Sequence, residues 1–240
     1  MKQFIAFIRS CVFYLVSTPS ILGGGIFLMP FIFFMPQKAR WFCLTRLLSL
    51  VVWQVKLFCG VKYKLEGLDH IPNEPYVALS KHQSPWETFF LFIKLSPVSM
   101  VMKRSLLKMP SFGWGIAMTK PIPIDRSQPK QAMKQLLSVG RSRLHDDKQA
   151  VLIFPEGTRV PYGQSKNFAR GGASLAKQAN VPVVFIAHNA GKCWPSGKFI
   201  KWPGTVEVKI SEPVDTSLLS AKEINTMAQD WIEAQMKMTG

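Results

Sequence analysis

Between Arg9 and Lys38 the chain carries no charged residue for 28 positions, from Ser10 to Gln37, and the run is rich in Phe, Ile, Leu and Val. A helix needs roughly 20 apolar residues to cross a bilayer, so the stretch is long enough. Thr18-Pro19-Ser20 and Gly23-Gly24-Gly25 interrupt it with helix breakers. Two geometries stay open: one kinked span, or two short helices in a shallow hairpin. The run exceeds the apolar region of a cleaved signal peptide, and no small-x-small cleavage site stands cleanly after it. Further on, Leu44, Leu47, Leu48, Val51, Val52 and Val55 form one stripe at helical spacing. With Trp41, Trp53, Arg40, Arg46 and Lys56 nearby, that helix suits either the headgroup layer or the side of a domain core. Residues 1–60 therefore read as a membrane-anchoring helical segment, and 61–240 as one α/β domain.

Charge is unevenly spread. The 30 basic and 14 acidic residues give a formal net charge of +16, and no acid precedes Glu66. Seven basic residues and no acid lie between Glu156 and Glu207, whereas the stretch from Glu207 onward holds six acids. A basic body suits nucleic acid or an anionic membrane surface. The uncharged run favours the membrane. The basic residues are dispersed among apolar strands, and no nucleic-acid-binding motif occurs, so no nucleic-acid partner is expected.

Beyond residue 60, short apolar runs alternate with helical patterns. Strands are predicted at Val61–Leu65, Tyr76–Leu79, Val98–Met102, Ile122–Ile124, Ala150–Phe154, Val181–Ala187 and Thr205–Ile210. Helices are predicted from Ser84 to Leu95 and at Pro129–His145, Gly172–Asn180 and Ala221–Met236. That alternation implies an α/β fold with a mixed, mostly parallel sheet flanked by helices. Cys11, Cys43, Cys59 and Cys193 have no metal-ligand or disulfide spacing and read as small apolar residues in a reducing compartment. His70 and His188 have no sequence partners and read as structural; His145 reads as a cation at a helix C-terminus.

Two segments carry chemistry. In His82-Gln-Ser-Pro-Trp-Glu87, Ser84 is a good N-cap, Pro85 suits the first helical position, and Glu87 completes a capping box. Capping explains Glu87 but not His82, two residues before the cap. An imidazole there can donate Nδ1–H to the carboxylate and keep Nε2 free to take a proton. No Gly-x-Ser-x-Gly occurs, so the reacting hydroxyl would belong to the substrate. Phe154-Pro-Glu-Gly-Thr-Arg159 ends an apolar run, with Gly157 suited to a positive φ. Arg159 can grip a phosphate bidentately while Glu156 holds polar groups or the arginine in place. Arg126, in Ile124-Asp-Arg-Ser127, stands at another strand exit. A base with an orienting acid, beside arginines, suits acyl transfer to the hydroxyl of an anionic acceptor.

Four blocks in this order resemble the glycerolipid acyltransferases, specifically the lysophosphatidic acid (1-acylglycerol-3-phosphate) acyltransferases. They are His82 to Glu87, Ile122-Pro-Ile-Asp-Arg126, Phe154-Pro-Glu-Gly-Thr-Arg159 and Val181-Pro-Val-Val184. Phe168-Ala-Arg-Gly171 also looks like the family's Phe-x-Lys-Gly. The likeness spans about residues 61 to 215, with one departure: Glu87 stands where the family usually has Asp. The resemblance implies an enzyme on the cytoplasmic face of the cell's inner membrane. It would move a fatty acyl chain from acyl-carrier protein or coenzyme A to the 2-hydroxyl of lysophosphatidate, without cofactor or metal. His82 would be the general base and Glu87 its orienter. Arg126, Glu156, Gly157 and Arg159 would bind the acceptor phosphate and glycerol, with Lys103 as a further phosphate ligand. The alternatives are another lysolipid acceptor, such as a lyso-ornithine lipid, or a non-enzymatic basic membrane-binding protein.

Overall fold

The uncharged run folds as helix, and Pro19 does not end it. In the computed structural model, which describes residues 1–109 and 111–238, α1 (Lys2–Gly23) passes straight through the proline. Ser20 Oγ donates to the Val16 carbonyl at 2.8 Å, beside the position where proline has no N–H to give. The glycines make the break instead. One π-helical turn, Gly24–Leu28, leads into α2 (Met29–Phe33). Of the two open geometries, the run is thus one kinked helical stretch. It folds back on α3 (Gln37–Cys59). The pairing is antiparallel, since Ser17 Oγ donates to Gln54 Oε1 at 2.8 Å while Cys59 Sγ reaches the Arg9 carbonyl.

Both helical stretches are long and apolar enough to cross a membrane. Phe4, Leu15, Phe27, Phe31 and Phe34 point outward, an exposed apolar face that suits lipid rather than water. Of the two roles left open for α3, packing on the domain core is observed on one face, and its other face is exposed and apolar. Trp41 is buried and stacks on Phe92 with ring centroids 5.0 Å apart, whereas Phe42 and Trp53 are exposed. It stops at Gly60, whose φ of +72° is the left-handed cap that glycine adopts freely.

All seven predicted strands form: β1 (Val61–Glu66), β2 (Val77–Ser80), β3 (Val98–Lys103), β4 (Ile122–Ile124), β5 (Ala150–Ile153), β6 (Val183–His188) and β7 (Gly204–Ile210). They make one sheet in the order β1-β7-β6-β2-β5-β3-β4. Every neighbouring pair is parallel except β6 and β7. The central strands β2, β5 and β6 are buried along their whole length, as their largely apolar sequences require when both faces are covered. Side chains alternate between the faces. Ala78, Leu152 and Val184 join one core with α3 and with α4 (Pro85–Leu95), and that core extends to Phe13, Met29 and Ile32 of the N-terminal helices. Leu79, Val151 and Val183 face α6 (Pro129–His145), α7 (Gly171–Ala179) and α9 (Ala221–Met238) on the other. Two short helices were not expected from the sequence: α5 (Phe112–Ala117) and α8 (Ala190–Cys193).

Candidate active site

Strand register brings the distant motifs together. In the parallel pair β2–β5, Leu79 stands opposite Ile153, so the segments that leave these strands emerge side by side. The His82 ring then stacks on Phe154, centroids 4.0 Å apart and planes at 20°. In the pair β3–β4, Lys103 stands opposite Ile124, which places Lys103 beside the segment carrying Arg126. All these groups lie at or just past the carboxyl ends of parallel strands, where open α/β sheets hold their ligands.

Ser84 caps α4 and Glu87 closes the capping box, as the sequence pattern requires. The same carboxylate also faces His82. Glu87 Oε1 accepts from the Ser84 N–H at 2.8 Å, the Gln83 N–H at 2.9 Å and His82 Nδ1 at 2.9 Å. Capping and imidazole orientation are therefore two uses of one oxygen. A carboxylate accepts only, so Nδ1 carries the proton and Nε2 stays basic. Glu87 has no exposed surface, and its extra methylene relative to aspartate still reaches the ring. Burial pushes its carboxyl up, while the charge of His188, the His82 bond and the Ser84 amide more than offset that and hold it below the usual carboxylate range. Burial also pushes the His188 pKa down, against the pull of the Glu87 carboxylate and of the bond to the Lys81 carbonyl. The donors gathered on Oε1 are therefore the firmer cause.

The loop before His82 is clamped by Glu156, expected to hold polar groups in place, and by Lys81, which the sequence patterns did not single out. Lys81 is buried, and its ammonium pairs with Glu156 Oε1 and donates to the Gln164 carbonyl at 3.1 Å. The Lys81 carbonyl accepts from His188 Nε2 at 2.8 Å, and its N–H donates to the Ile186 carbonyl at 3.0 Å. Glu156 Oε2 accepts the His82 N–H at 2.9 Å, and the Val160 N–H donates to the His82 carbonyl at 2.8 Å. Glu156 is thus only 2% exposed and spans the two motif loops, apart from the residues that line the cavity. Burial pushes its carboxyl up, against the Lys81 ammonium and the His82 amide. A lysine next to a candidate base, just after a short, largely apolar strand, was the available signal for this clamp. His188, expected to be structural, is part of it.

A cavity of about 580 Å³ opens beside His82. Its polar lining includes His82, Lys103, Arg126, Gly157 and Arg159, so five of the seven expected site residues meet there. Gly157 has a φ of +69°, and the space where its Cβ would stand is empty, so the backbone conformation rather than crowding calls for glycine. Asp125 bonds Ser127 instead of Arg126, and among the described residues neither Arg126 nor Arg159 has a carboxylate partner. Partial desolvation lowers the Arg126 pKa. The rest of the lining is mostly apolar and includes Phe89, Met100 and Leu106, with Thr18, Ile21 and Leu22 supplied by α1. Among the described residues no group of three or more His, Cys, Asp or Glu is arranged to hold a metal.

A histidine held by a carboxylate, opening on a cavity with arginines and a mostly apolar wall, has the groups that acyl transfer calls for. The comparisons agree with that class. The family described as Acyltransferase matches residues 62–189. A 1-acyl-sn-glycerol-3-phosphate acyltransferase of Pseudomonas aeruginosa is 43% identical over 236 residues, covering 95% of this chain and 90% of the relative. The alpha enzyme of that name from Mus musculus is 30% identical over 76% of this chain and 65% of its own length. The fold matches the crystal structure of the 1-acyl-sn-glycerophosphate (LPA) acyltransferase PlsC from Thermotoga maritima. The TM-score is 0.82 at 23% identity, with 100% and 98% of the two chains covered. The chain belongs to the acyltransferase family.

Proposed function

We propose that this chain transfers a fatty acyl group from an acyl thioester, on acyl-carrier protein or coenzyme A, to the 2-hydroxyl of 1-acylglycerol-3-phosphate. The product is phosphatidate, and the reaction belongs to phospholipid biosynthesis. The observation that carries the reading is His82, paired through Nδ1 with buried Glu87, in the same cavity as Lys103, Arg126 and Arg159. The printed names of the Pseudomonas and mouse relatives support the same acceptor.

His82 Nε2 takes the hydroxyl proton as the oxygen attacks the thioester carbonyl, and Glu87 stabilises the imidazolium that forms. The tetrahedral intermediate collapses, the C–S bond breaks, and the thiolate recovers the proton from Nε2. The thioester is already activated. Arg126 and Arg159, with Lys103, neutralise the acceptor phosphate, and Gly157 lets the loop between them stay open. Glu156 acts on the acceptor site indirectly, by holding the His82 loop against the turn that carries Arg159. The apolar wall takes acyl chain, and residues 1–60 anchor the domain of 61–240 to membrane lipid on the cytoplasmic face of the inner membrane.

Membranes containing the chain, given lysophosphatidate and an acyl thioester, should form phosphatidate detectable by mass spectrometry. Arg126→Ala and Arg159→Ala should each raise the KM for lysophosphatidate by roughly 10- to 100-fold, since a charge-assisted contact contributes about 1.5–3 kcal/mol. Turnover of an unphosphorylated monoacylglycerol should not change in either variant. Parent-like KM for lysophosphatidate in both would remove the phosphate assignment.

A further inference from the structure

Lys201 has no exposed surface, and among the described residues no carboxylate pairs with it. Its ammonium sits in a cage of four rings. The Tyr14 centroid lies 3.8 Å from Nζ, Trp194 4.9 Å, Phe199 5.7 Å and Phe13 5.8 Å. Nζ also donates to the Tyr14 hydroxyl and to the Phe199 carbonyl at 2.7 Å. Two of those rings, Phe13 and Tyr14, belong to α1. The Lys201 N–H adds a bond of 2.9 Å to Ser10 Oγ on the same helix. The cage thus joins the N-terminal helix to the loop before β7.

Thr18 and Ile21 follow Tyr14 by four and seven residues, so they continue its face of the helix. That face, with Leu22, walls the cavity beside His82. Trp194 meets α4 as well, touching Phe89 of the same cavity at 6.5 Å between centroids. Across the α1–α3 seam Gln54 meets Ser17 and Ser20, and the Cys59 thiol meets the Arg9 carbonyl; the Lys201 cage adds the directional contacts that tie α1 to the loop before β7.

We propose that Lys201 is a positioning residue for the cavity: its caged ammonium fixes the register of α1, and so the wall formed by Thr18, Ile21 and Leu22. An unpaired buried ammonium costs stability. Burial accordingly pushes the Lys201 pKa down to about 8. The residue therefore serves the placement of α1 rather than the depth of the fold, and an apolar side chain of similar length should not lower the melting temperature.

The test uses the full chain in nanodiscs, with Lys201→Met as the main variant and Tyr14→Phe as a milder one. Tyr14→Phe keeps the ring and removes one acceptor, so it reports even if Lys201→Met does not fold. Hydrogen exchange of residues 6–22 should rise about tenfold in Lys201→Met and by about threefold in Tyr14→Phe, as the helix opens more often. Resting on the acyl-transfer reading of the cavity, KM for a long-chain lysophosphatidate should rise by about tenfold, while kcat and turnover of a short-chain, water-soluble acceptor stay within about threefold of the parent. Unchanged exchange in both variants overturns the proposal. So does an equal loss on long and short acceptors with a lowered melting temperature, which is what a merely structural lysine would give. If the parent does not acylate lysophosphatidate at all but exchange still rises, the docking role stands and the proposed reaction falls.

Discussion

His82→Ala should lower kcat for acyl transfer by about 10²–10⁴ while the protein stays folded and membrane-bound. The size follows from what is removed. Among the described residues no other imidazole lines the cavity, and His188 is buried with Nε2 committed to the Lys81 carbonyl. The hydroxyl would then have to lose its proton to water in a cavity with a mostly apolar wall. Folding should survive because the ring is held at the loop's surface by one stacking contact and one hydrogen bond. The loop itself hangs on the Glu156 and Val160 bonds to the His82 backbone, which alanine keeps. Circular dichroism and single-turnover rates, measured on the same preparation, decide it. A near-parent rate in a folded variant would remove His82 as the base.

Glu87→Gln should also cost about 10²–10⁴ in kcat, through a different route. The amide oxygen can still accept the Ser84 and Gln83 N–H groups, so the cap survives. A neutral amide cannot balance the charge on His82 once it has taken the proton. Stability at neutral pH should fall by only on the order of 1–2 kcal/mol, as charge-assisted hydrogen bonds become neutral ones. The pH dependence gives a second reading. The Glu87 carboxyl is held below its ordinary value in the folded chain. Its contribution to stability is therefore fully present above the unfolded pKa of about 4.3 and is lost as pH falls through the lower folded value. Below pH of about 4 the melting temperature of the parent should drop more steeply than that of Glu87→Gln. Glu87→Asp keeps the charge and should retain more activity than Gln. Equal kcat in parent and Gln variant would leave Glu87 a helix cap alone.

Much of this was legible before any coordinates. The inner strands are short, largely apolar runs between turn residues, β1 and β7 alternate apolar with polar residues, and each forms where the alternation puts it. The capping box at Ser84 and Glu87 is a local signal, and it forms because both partners lie within one turn. Pro19 misled, because it removes one backbone bond from a 22-residue helix that its neighbours carry on, and the Ser20 hydroxyl adds a bond to the Val16 carbonyl in the same turn. The α5 helix is six residues around two glycines, and α8 is four residues; neither is long enough to carry a period. The family resemblance placed Glu156 in the acceptor site together with Gly157 and Arg159. The Glu156 side chain points the other way, to a lysine 75 residues earlier in sequence. Such a pairing depends on the β2–β5 register, which no local pattern reports. The same holds for Lys201, whose cage draws rings from α1 and from the loop before β7.

The oxygen shared by the α4 cap and the His82 ring ties the chemistry to the secondary structure. Substrate-facing groups in many sites can drift in evolution while the scaffold stays still. Here a change of side-chain length at position 87 moves the carboxylate by about one C–C bond, roughly 1.5 Å. Either the imidazole or the first turn of the helix must follow. Phe89, two residues along, would shift with it and reshape the apolar wall. A lineage that exchanges Glu for Asp here is thus expected to carry compensating changes in the His82 loop or on α4, and a graft of the bare six-residue motif into a relative should transfer less activity than a graft that includes the whole helix.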